Sequence, residues 1–336
     1  MITDVEAAQR VAAQALGHYG TEQDATLTFV KYRENYVFKV DERSGSYALR
    51  LHRNGYRTDA EILEELDLMA ALAAGGVSVP RLRLTAKGES FCRIPDEYGD
   101  VHQVDMLEWV ADAEPLGDIG TAFTGEAVVD PAAFRALGVL VAEVHQAAST
   151  LQRQTPSVRP PWDAAGLVGG ADAVWGDPRR AFHDGATGRE TVDRAMAWLA
   201  TELGAYGKAP DRYGPIHADA TPENVLIRDG RMTLIDFDDS GEGYYLFDLA
   251  TAAFFYLPHP RFDDIVSALL AGYRTVRPLS AEDLALWRPM LLARGLTYLA
   301  WAADRVGDET SDFIFEYLRP LVVGLAAELV TPAVSQ

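Results

Sequence analysis

The sequence predicts an α+β protein in two parts: a small antiparallel sheet with one helix over residues 1–110, and a mainly helical part over residues 111–336. Three observations support this prediction. Apolar and polar residues alternate at strand spacing over residues 25–51. Beyond residue 111 the apolar residues recur at helical spacing over long stretches. A strand–turn–strand pattern at residues 225–235 interrupts these helices, with Asp229-Gly230 as its turn.

Three short strands are expected at the start of the sheet. The first two contain apolar residues that alternate with polar ones, namely Leu27, Phe29, Tyr36, Phe38 and Val40. Residues 47–51 form a third run after the turn-forming residues 41–46. Tight turns between three short strands favour antiparallel pairing.

A helix is expected next, from about residue 59, where Asp59 can cap it, to Gly75-Gly76, which end it. Its inward face carries apolar residues at spacings of three and four, namely Ile62, Leu66, Met69 and Ala73. Further strands are expected near residues 81–85 and 104–109.

The second part is expected to contain helices over residues 132–148, 189–206, 262–274, 281–304 and 312–329. Arg288-Pro289 is expected to bend or divide the fourth of these, because proline disrupts a helix interior. Residues 150–188 are rich in Pro, Gly and polar residues and predict a connecting loop with short helical pieces. A chain of 336 residues suits two packed units.

The formal net charge of −20 argues against nucleic acid as a partner, because phosphate contacts need clustered Lys and Arg. Such a charge attracts a cationic small molecule, and an acidic surface that keeps a protein soluble explains it as well.

No stretch reaches the roughly 18 apolar residues of a membrane span. The first ten residues contain two acids and no apolar segment, so no signal peptide is expected. The single cysteine, Cys92, cannot form an internal disulfide, which favours a cytoplasmic location.

Polar residues cluster on both sides of the hairpin. Asn224 precedes it and Asp236 follows it, so these two are expected close together, and an amide oxygen with a carboxylate suits Mg²⁺. Asp219, five residues before Asn224, suits a group that accepts a proton from a substrate hydroxyl. Each residue alone also has a structural explanation, because Asp and Asn are common in loops.

The pattern H-x-D-x-x-x-x-N at residues 217–224, followed by I-D-F at residues 235–237, resembles the catalytic and metal loops of the aminoglycoside phosphotransferase, choline kinase and homoserine kinase superfamily, which is related to protein kinases. The resemblance implies a bilobal protein-kinase-like fold and an ATP- and Mg²⁺-dependent phosphotransferase. The roles that it implies are a catalytic base (Asp219), Mg²⁺ ligands (Asn224 and Asp236), a loop support (His217) and a structural acid that steadies the metal loop (Asp248).

The resemblance extends to the first part. Residues 34–40 resemble the family's nucleotide-covering hairpin, and Arg50 stands where the family has a phosphate-binding Lys. Glu65 shares the inward face of the helix and is expected to pair with Arg50, because a buried acid is costly unless paired. Residues 106–110 match the segment that joins the two lobes, where the backbone groups of Glu108 and Val110 would bind adenine.

The implied acceptor is the hydroxyl of a small molecule: an amino alcohol, amino acid, sugar or aminoglycoside. Acids suit a cationic acceptor and aromatic rings stack on an ammonium or a sugar, and the candidates are Asp238, Asp239, Glu242, Tyr244 and Trp301. Two alternatives stay open. Residues 51–53, 236–239 and 294–296 resemble a bacterial stress-response kinase that phosphorylates protein Ser or Thr, and a non-catalytic kinase-like binding protein is the other. The oligomeric state is left open.

Overall fold

The computed structural model describes residues 4–151, 156–183, 186 and 188–330. The helices of these residues are, in chain order, α1 (Val5–Leu16), α2 (Asp59–Ala74), α3 (Ile119–Thr124), α4 (Pro131–Ser149), α5 (Ala164–Val168), α6 (Arg189–Tyr206), α7 (Tyr245–Phe254), α8 (Phe262–Tyr273), α9 (Ala281–Ala285), α10 (Trp287–Ala303), α11 (Glu309–Phe313) and α12 (Arg319–Val330). The strands are β1 (Thr26–Tyr32), β2 (Asn35–Glu42), β3 (Gly45–His52), β4 (Cys92–Pro95), β5 (Val101–Glu108), β6 (Glu114–Pro115), β7 (Tyr213–Ile216), β8 (Val225–Arg228), β9 (Arg231–Leu234) and β10 (Gly241–Tyr244).

The chain divides into two compact units. The first consists of the residues up to Pro115 together with Leu226–Asp238, and the second of Leu116–Val225 together with the residues from Asp239 onward. The sequence analysis set its boundary after residue 110 and assigned the hairpin to the second part. The hairpin groups with the first unit because β8 pairs with β6 and the Leu234 N–H donates to the Ser78 carbonyl.

An antiparallel sheet of order β1-β2-β3-β5-β4 forms the centre of the first unit. The three predicted strands between residues 25 and 52 are present, joined by tight turns. The expected strand at residues 81–85 is reduced to a bridge between Leu82 and Leu107, and β4, which the sequence analysis missed, pairs with β5 instead.

Two helices lie in the first unit, where one was expected. The additional helix, α1, buries a face made mostly of alanine against the sheet residues Phe38, Leu49 and Val104. The sequence analysis did not assign this helix, although its buried residues recur at helical spacing. The cap of α2 also differs from expectation: Thr58, not Asp59, accepts from the Glu61 N–H in a capping box.

In the second unit, α4 and α8 pack backbone against backbone. A Cβ added to Gly138 would lie 2.0 Å from the Leu269 carbonyl oxygen, and one added to Gly272 would lie 1.9 Å from that of Arg135. Only glycine allows this approach, so any larger residue at either position must separate the helices. Among the described residues, no helix is both long and apolar enough to cross a membrane.

The predicted helices at residues 132–148, 189–206 and 262–274 are present with small shifts of their ends. The helix expected at residues 312–329 is divided into α11 and α12, which a π-helical stretch, Ile314–Leu318, connects. The expected helix at residues 281–304 is divided at Leu286 into α9 and α10, and Pro289 lies in the first turn of α10, where proline is tolerated. The sequence analysis did not predict the helix α7, in which every residue is buried, including Asp248 and Thr251.

Candidate active site

The loop from His217 to Asn224, which we call the catalytic loop, follows β7 and is held by an acid from α7. Asp248 is fully buried and accepts hydrogen bonds from the His217 N–H (2.8 Å), the Ala218 N–H (2.6 Å) and His145 Nε2 (2.9 Å). Burial alone would raise the pKa of Asp248, but the hydrogen bond and charge of His145 outweigh burial and lower it. These contacts hold the catalytic loop, whereas the role implied for Asp248 at the metal loop stays a prediction.

Two further features hold the catalytic loop. His217 is fully buried, and its Nδ1 accepts from the Asp219 N–H at 3.1 Å, which agrees with the supporting role implied for it. Ala218 has a φ of 67°, in the left-handed region that alanine rarely adopts. The two backbone donors to Asp248 stabilise this strained turn, which presents the next residue, Asp219.

The carboxylate of Asp219 is bound at both oxygens. Asn224 Nδ2 donates to Oδ2 at 2.9 Å and also to the Asp219 carbonyl, while Arg294 Nη2 donates to Oδ1. The Asp219 side chain is 25% exposed, whereas that of Arg294 is fully buried. The side chain is thus held in one orientation but remains accessible.

Sequence reasoning missed Arg294 as a partner of Asp219. It lies in the apolar stretch MLLARGLTYLAWAA of α10, at a sequence separation of 75 from Asp219. An arginine surrounded by apolar residues on a helix indicates a buried and therefore paired charge, because an unpaired one is very costly. That signal identifies a buried cation but not its partner.

The predicted Mg²⁺ ligands have donor atoms that suit the ion. Both hydrogen bonds of the Asn224 side chain use Nδ2, which leaves the amide oxygen Oδ1 for a cation. Asp236 follows β9 with a φ of 68°, and its Oδ2 lies 3.7 Å from Lys31 Nζ, so a positive charge already accompanies this partly exposed carboxylate. Hard oxygen donors of this kind fit Mg²⁺, which takes one or two protein ligands together with phosphate oxygens.

In the first unit, the predicted pair of Arg50 and Glu65 is present. Arg50 Nη1 donates to Glu65 Oε1 at 2.7 Å, and Glu65 is fully buried on α2. A second acid, Asp105, was missed: its carboxylate binds Arg50 in bidentate fashion at 2.9 and 2.8 Å. Asp105 lies directly opposite Arg50 in the pairing of β3 with β5, and the sequence does not reveal this register.

A histidine completes this buried network. His52 Nε2 lies 2.6 Å from Asp105 Oδ2, and both residues are buried. Burial alone would raise the pKa of Asp105, but the charges and hydrogen bonds of Arg50 and His52 outweigh it and lower the pKa to about 2. Asp105 is therefore a carboxylate at neutral pH.

We expect Asp105→Asn to lower the free energy of unfolding by about 3 kcal/mol at pH 7, because it breaks a buried ion pair. Since the folded pKa of Asp105 lies below its usual value, its contribution is present above pH about 4 and is lost as the pH falls towards about 2. The difference between variant and wild type should therefore shrink over that range in urea unfolding. As a control, Asp59→Asn removes an exposed partner of Arg93 and should cost below about 1 kcal/mol. Equal losses for both variants would contradict the expectation.

The segment expected to bind adenine forms the end of β5. The Glu108 N–H donates to the Arg81 carbonyl at 2.8 Å, and the Trp109 N–H donates to the Ser46 carbonyl at 3.0 Å. The Glu108 side chain is exposed. Because its N–H is already bonded, an adenine contact at Glu108 would use its carbonyl oxygen. Val110 follows β5 and is partly buried.

Of the acceptor candidates, Asp239 is connected to Asp219 through described contacts. Its Oδ1 accepts from Trp175 Nε1 at 3.2 Å, and its carbonyl accepts from Trp162 Nε1 at 2.8 Å. The Trp175 ring lies 4.6 Å from the guanidinium of Arg294, which binds Asp219. Trp175 lies in the Pro- and Gly-rich connecting segment, for which no site residue was predicted.

The other acceptor candidates have different surroundings. Tyr244 is buried in an aromatic cluster, and its hydroxyl donates to the Leu203 carbonyl. Asp238 is buried, and its carbonyl accepts from Arg57 at 2.9 Å. The Glu242 carbonyl accepts from the Trp162 N–H, and the Trp301 ring lies 4.2 Å from the guanidinium of Arg305. These contacts place Tyr244 in the core and leave the roles of the other three as predictions.

The sequence and the fold match known proteins over most of the chain. A family model described as "Phosphotransferase enzyme family" matches residues 28–289. A homoserine kinase of Chelativorans sp. (strain BNC1) is 30% identical over 280 residues, which make up 78% of this chain and 74% of that protein.

Two solved structures share the fold. A microcompartment-associated aminopropanol kinase is 31% identical, with a TM-score of 0.79 and coverage of 97% of this chain and 95% of that one. An amicoumacin kinase in complex with AMP-PNP and Ca²⁺ is 21% identical, with a TM-score of 0.75 and coverage of 96% and 95%. These matches confirm the predicted fold class.

Proposed function

The chain belongs to the phosphotransferase enzyme family, and on that premise we propose that it transfers the γ-phosphoryl group of ATP, together with Mg²⁺, to the hydroxyl of a small amino alcohol. The family and its relatives make the chain a phosphotransferase of the small-molecule kinase kind. ATP, Mg²⁺ and the acceptor class are our proposal. We also propose a cytoplasmic location, where ATP is available.

One observation carries the proposed reaction: the carboxylate of Asp219 is bound at both oxygens yet partly exposed, at the end of a loop that Asp248 holds. A carboxylate in that state accepts a hydrogen bond from the acceptor hydroxyl and aligns its oxygen for attack on the γ-phosphorus. Phosphoryl transfer depends mainly on such positioning and on charge neutralisation. As the acceptor oxygen bonds to the γ-phosphorus, the bond from that phosphorus to the β–γ bridging oxygen breaks and ADP leaves, while the hydroxyl proton passes to Asp219.

The remaining roles follow from the donor atoms. Asn224 Oδ1 and the Asp236 carboxylate would hold Mg²⁺, which when bound neutralises charge on the phosphate oxygens. Arg50, kept in place by Glu65 and Asp105, would bind a nucleotide phosphate through the N–H groups that these acids leave unused. The backbone of Glu108 and Val110 would bind adenine.

The acceptor class is supported by similarity and by chemistry. A kinase of aminopropanol, which is an amino alcohol, is 31% identical to this chain over nearly its whole length. Asp239 carries a negative charge and is hydrogen-bonded to Trp175, and an acid beside an aromatic ring suits an ammonium group. The net charge of −20 favours a cation in the same way.

A panel assay tests the proposal. ATP consumption and product formation are measured with 1-amino-2-propanol, ethanolamine, choline, homoserine, hydroxylysine, an aminoglycoside and a neutral sugar, each with and without Mg²⁺. We expect the highest kcat/KM with a small amino alcohol and no turnover in EDTA. Preference for the neutral sugar would exclude the acceptor class. Labelling of protein Ser or Thr, with no small acceptor turned over, would favour the alternative protein kinase.

We expect Asp236→Asn to lower kcat about 100-fold and to raise the Mg²⁺ concentration needed for half-maximal rate, because the amide removes the negative charge that holds the ion. Asparagine is chosen because it tolerates the φ of 68° better than alanine. Asp229→Asn is the matched control, since Asp229 also has a positive φ and lies exposed in the turn of the same hairpin. Near-normal turnover of a folded Asp236→Asn enzyme would refute the metal role.

A further inference from the structure

Arg294 is a buried charge enclosed by aromatic rings. Its guanidinium lies 4.0 Å from the ring centroid of Tyr298, 4.6 Å from that of Trp175 and 5.6 Å from that of Phe247, and its side chain is fully buried. Burying a guanidinium costs several kcal/mol unless other contacts offset it. Cation–π contacts with three rings and an ion pair with Asp219 provide that compensation.

The hydrogen bonds of Arg294 are concentrated on the catalytic loop. Nη1 donates to the Ala218 carbonyl at 3.1 Å, and Nη2 donates to Asp219 Oδ1 and to the Tyr298 hydroxyl. Two nitrogens of one rigid fork therefore bind the strained residue before Asp219 and the Asp219 carboxylate itself. Among the described residues, Nε has no hydrogen-bond partner. Leaving a buried N–H without an acceptor costs free energy. We therefore infer that the bonds from Nη1 and Nη2 to the catalytic loop set the orientation of the guanidinium, although Nε is left without an acceptor.

The Asp219 carboxylate is thereby held from two sides. Arg294 binds Oδ1 and Asn224 binds Oδ2, so rotation of the carboxylate about χ2 would break one bond or the other. Trp175 stacks on the same guanidinium and donates to Asp239. Contacts through Arg294 and Trp175 thus connect Asp219 to Asp239, the acid that we assign to the ammonium group of the acceptor.

We propose that Arg294 is a positioning residue for Asp219: its guanidinium fork fixes the catalytic loop at Ala218 and orients the carboxylate towards the acceptor hydroxyl. The proposal rests on the proposed function for its kinetic consequence, since orientation matters only if Asp219 binds the attacking hydroxyl. Lysine retains the charge but is a single point donor, so Arg294→Lys cannot bind the Ala218 carbonyl and Asp219 Oδ1 in the same fixed geometry.

For Arg294→Lys we expect kcat to fall about 30-fold, with the KM for ATP changed less than about twofold, because a small misplacement of a reacting group costs rate and not nucleotide binding. Amide hydrogen exchange over residues 218–224 should also become faster. The matched control is Arg277→Lys, a second buried arginine, which stacks on Tyr245 at 4.3 Å and binds Gln146 and Ser149. It should lose comparable stability and keep both kcat and loop exchange.

Unchanged kcat and loop exchange in folded Arg294→Lys, or equal changes in Arg277→Lys, would overturn the proposal. If the wild type turns over no acceptor, the proposed function fails, and the exchange measurement still decides whether Arg294 orders the loop. If Arg294→Lys does not fold, Tyr298→Phe serves instead, because it removes one acceptor of Nη2 and keeps the ring. For this variant we expect kcat to fall about threefold with faster loop exchange, and no change in either would refute the role.

Discussion

Asp219→Asn is expected to lower kcat about 1,000-fold at an unchanged KM for ATP. The substitution preserves shape and leaves one oxygen that accepts from Arg294, whereas the side-chain hydrogen bond from Asn224 Nδ2 is lost. The contacts of Arg294 and Asp248 should keep the loop in place. In the proposed mechanism the substitution removes the negative charge that binds the acceptor hydroxyl and takes its proton. Positioned acid–base groups of this kind contribute about 10²- to 10⁴-fold to rate, and loss of the oriented hydrogen bond adds to that.

The measurement is steady-state phosphorylation of the best acceptor from the panel, with folding checked by thermal unfolding. Asp263→Asn is a suitable control, because it removes one negative charge from an exposed position on α8. It should leave kcat within about twofold and the unfolding temperature nearly unchanged. A folded Asp219→Asn enzyme that keeps a tenth or more of the wild-type kcat is incompatible with Asp219 as the base.

Asp248→Ala should destabilise the second unit by about 4 kcal/mol and abolish most activity. Three buried donors, the His217 and Ala218 N–H groups and His145 Nε2, would lose their acceptor, and each unsatisfied donor costs about 1–3 kcal/mol. The two lost backbone bonds are those of His217 and Ala218 themselves, so the positive φ of Ala218 would lose direct support, and of the hydrogen bonds given above to the Ala218 backbone only the one from Arg294 to its carbonyl would remain. Activity should therefore fall more than the unfolded fraction accounts for.

Two measurements separate the loss of stability from the loss of activity. Denaturant unfolding gives the free energy of unfolding, and kcat is measured at a temperature where the variant is folded. Asp283→Ala is the comparison, since Asp283 is also a buried acid of this unit but caps α9 and accepts from the Tyr206 hydroxyl. It should cost about 1–2 kcal/mol and leave kcat unchanged. If folded Asp248→Ala turns over at the wild-type rate, Asp248 does not hold the loop in its active conformation.

Local patterns predicted much of the fold. Amphipathic spacing located α4, α6 and α8 within one or two residues of their ends, and Asp229-Gly230 identified the hairpin, where φ values of 50° and 75° are those of the expected turn. Two helices were not predicted. In α1 the apolar residues do recur at helical spacing but the sequence analysis did not assign a helix there, and in α7 every residue is buried, including Asp248 and Thr251.

Within the site, local spacing was equally decisive for residues on one element. Helical periodicity selected Glu65 over Glu61 and Glu64, and Glu65 pairs with Arg50 while Glu61 belongs to the capping box of α2. Asp105 on β5 binds the same arginine but was not predicted. It lies next to Arg50 only because of the register between β3 and β5. Its place in the network depends on how the sheet is assembled.

By itself, the sequence determined the reaction type, because residue types at fixed spacing in the catalytic loop and hairpin indicate a phosphotransferase and match its family. Only the tertiary structure identified what holds Asp219. The catalytic loop binds two residues that are distant in the sequence. Asp248 binds Ala218 from 30 residues away, and Arg294 binds Asp219 from 75 residues away. The physical reason is that periodicity reports which residues are buried, whereas the partner of a buried charge depends on the packing of distant helices.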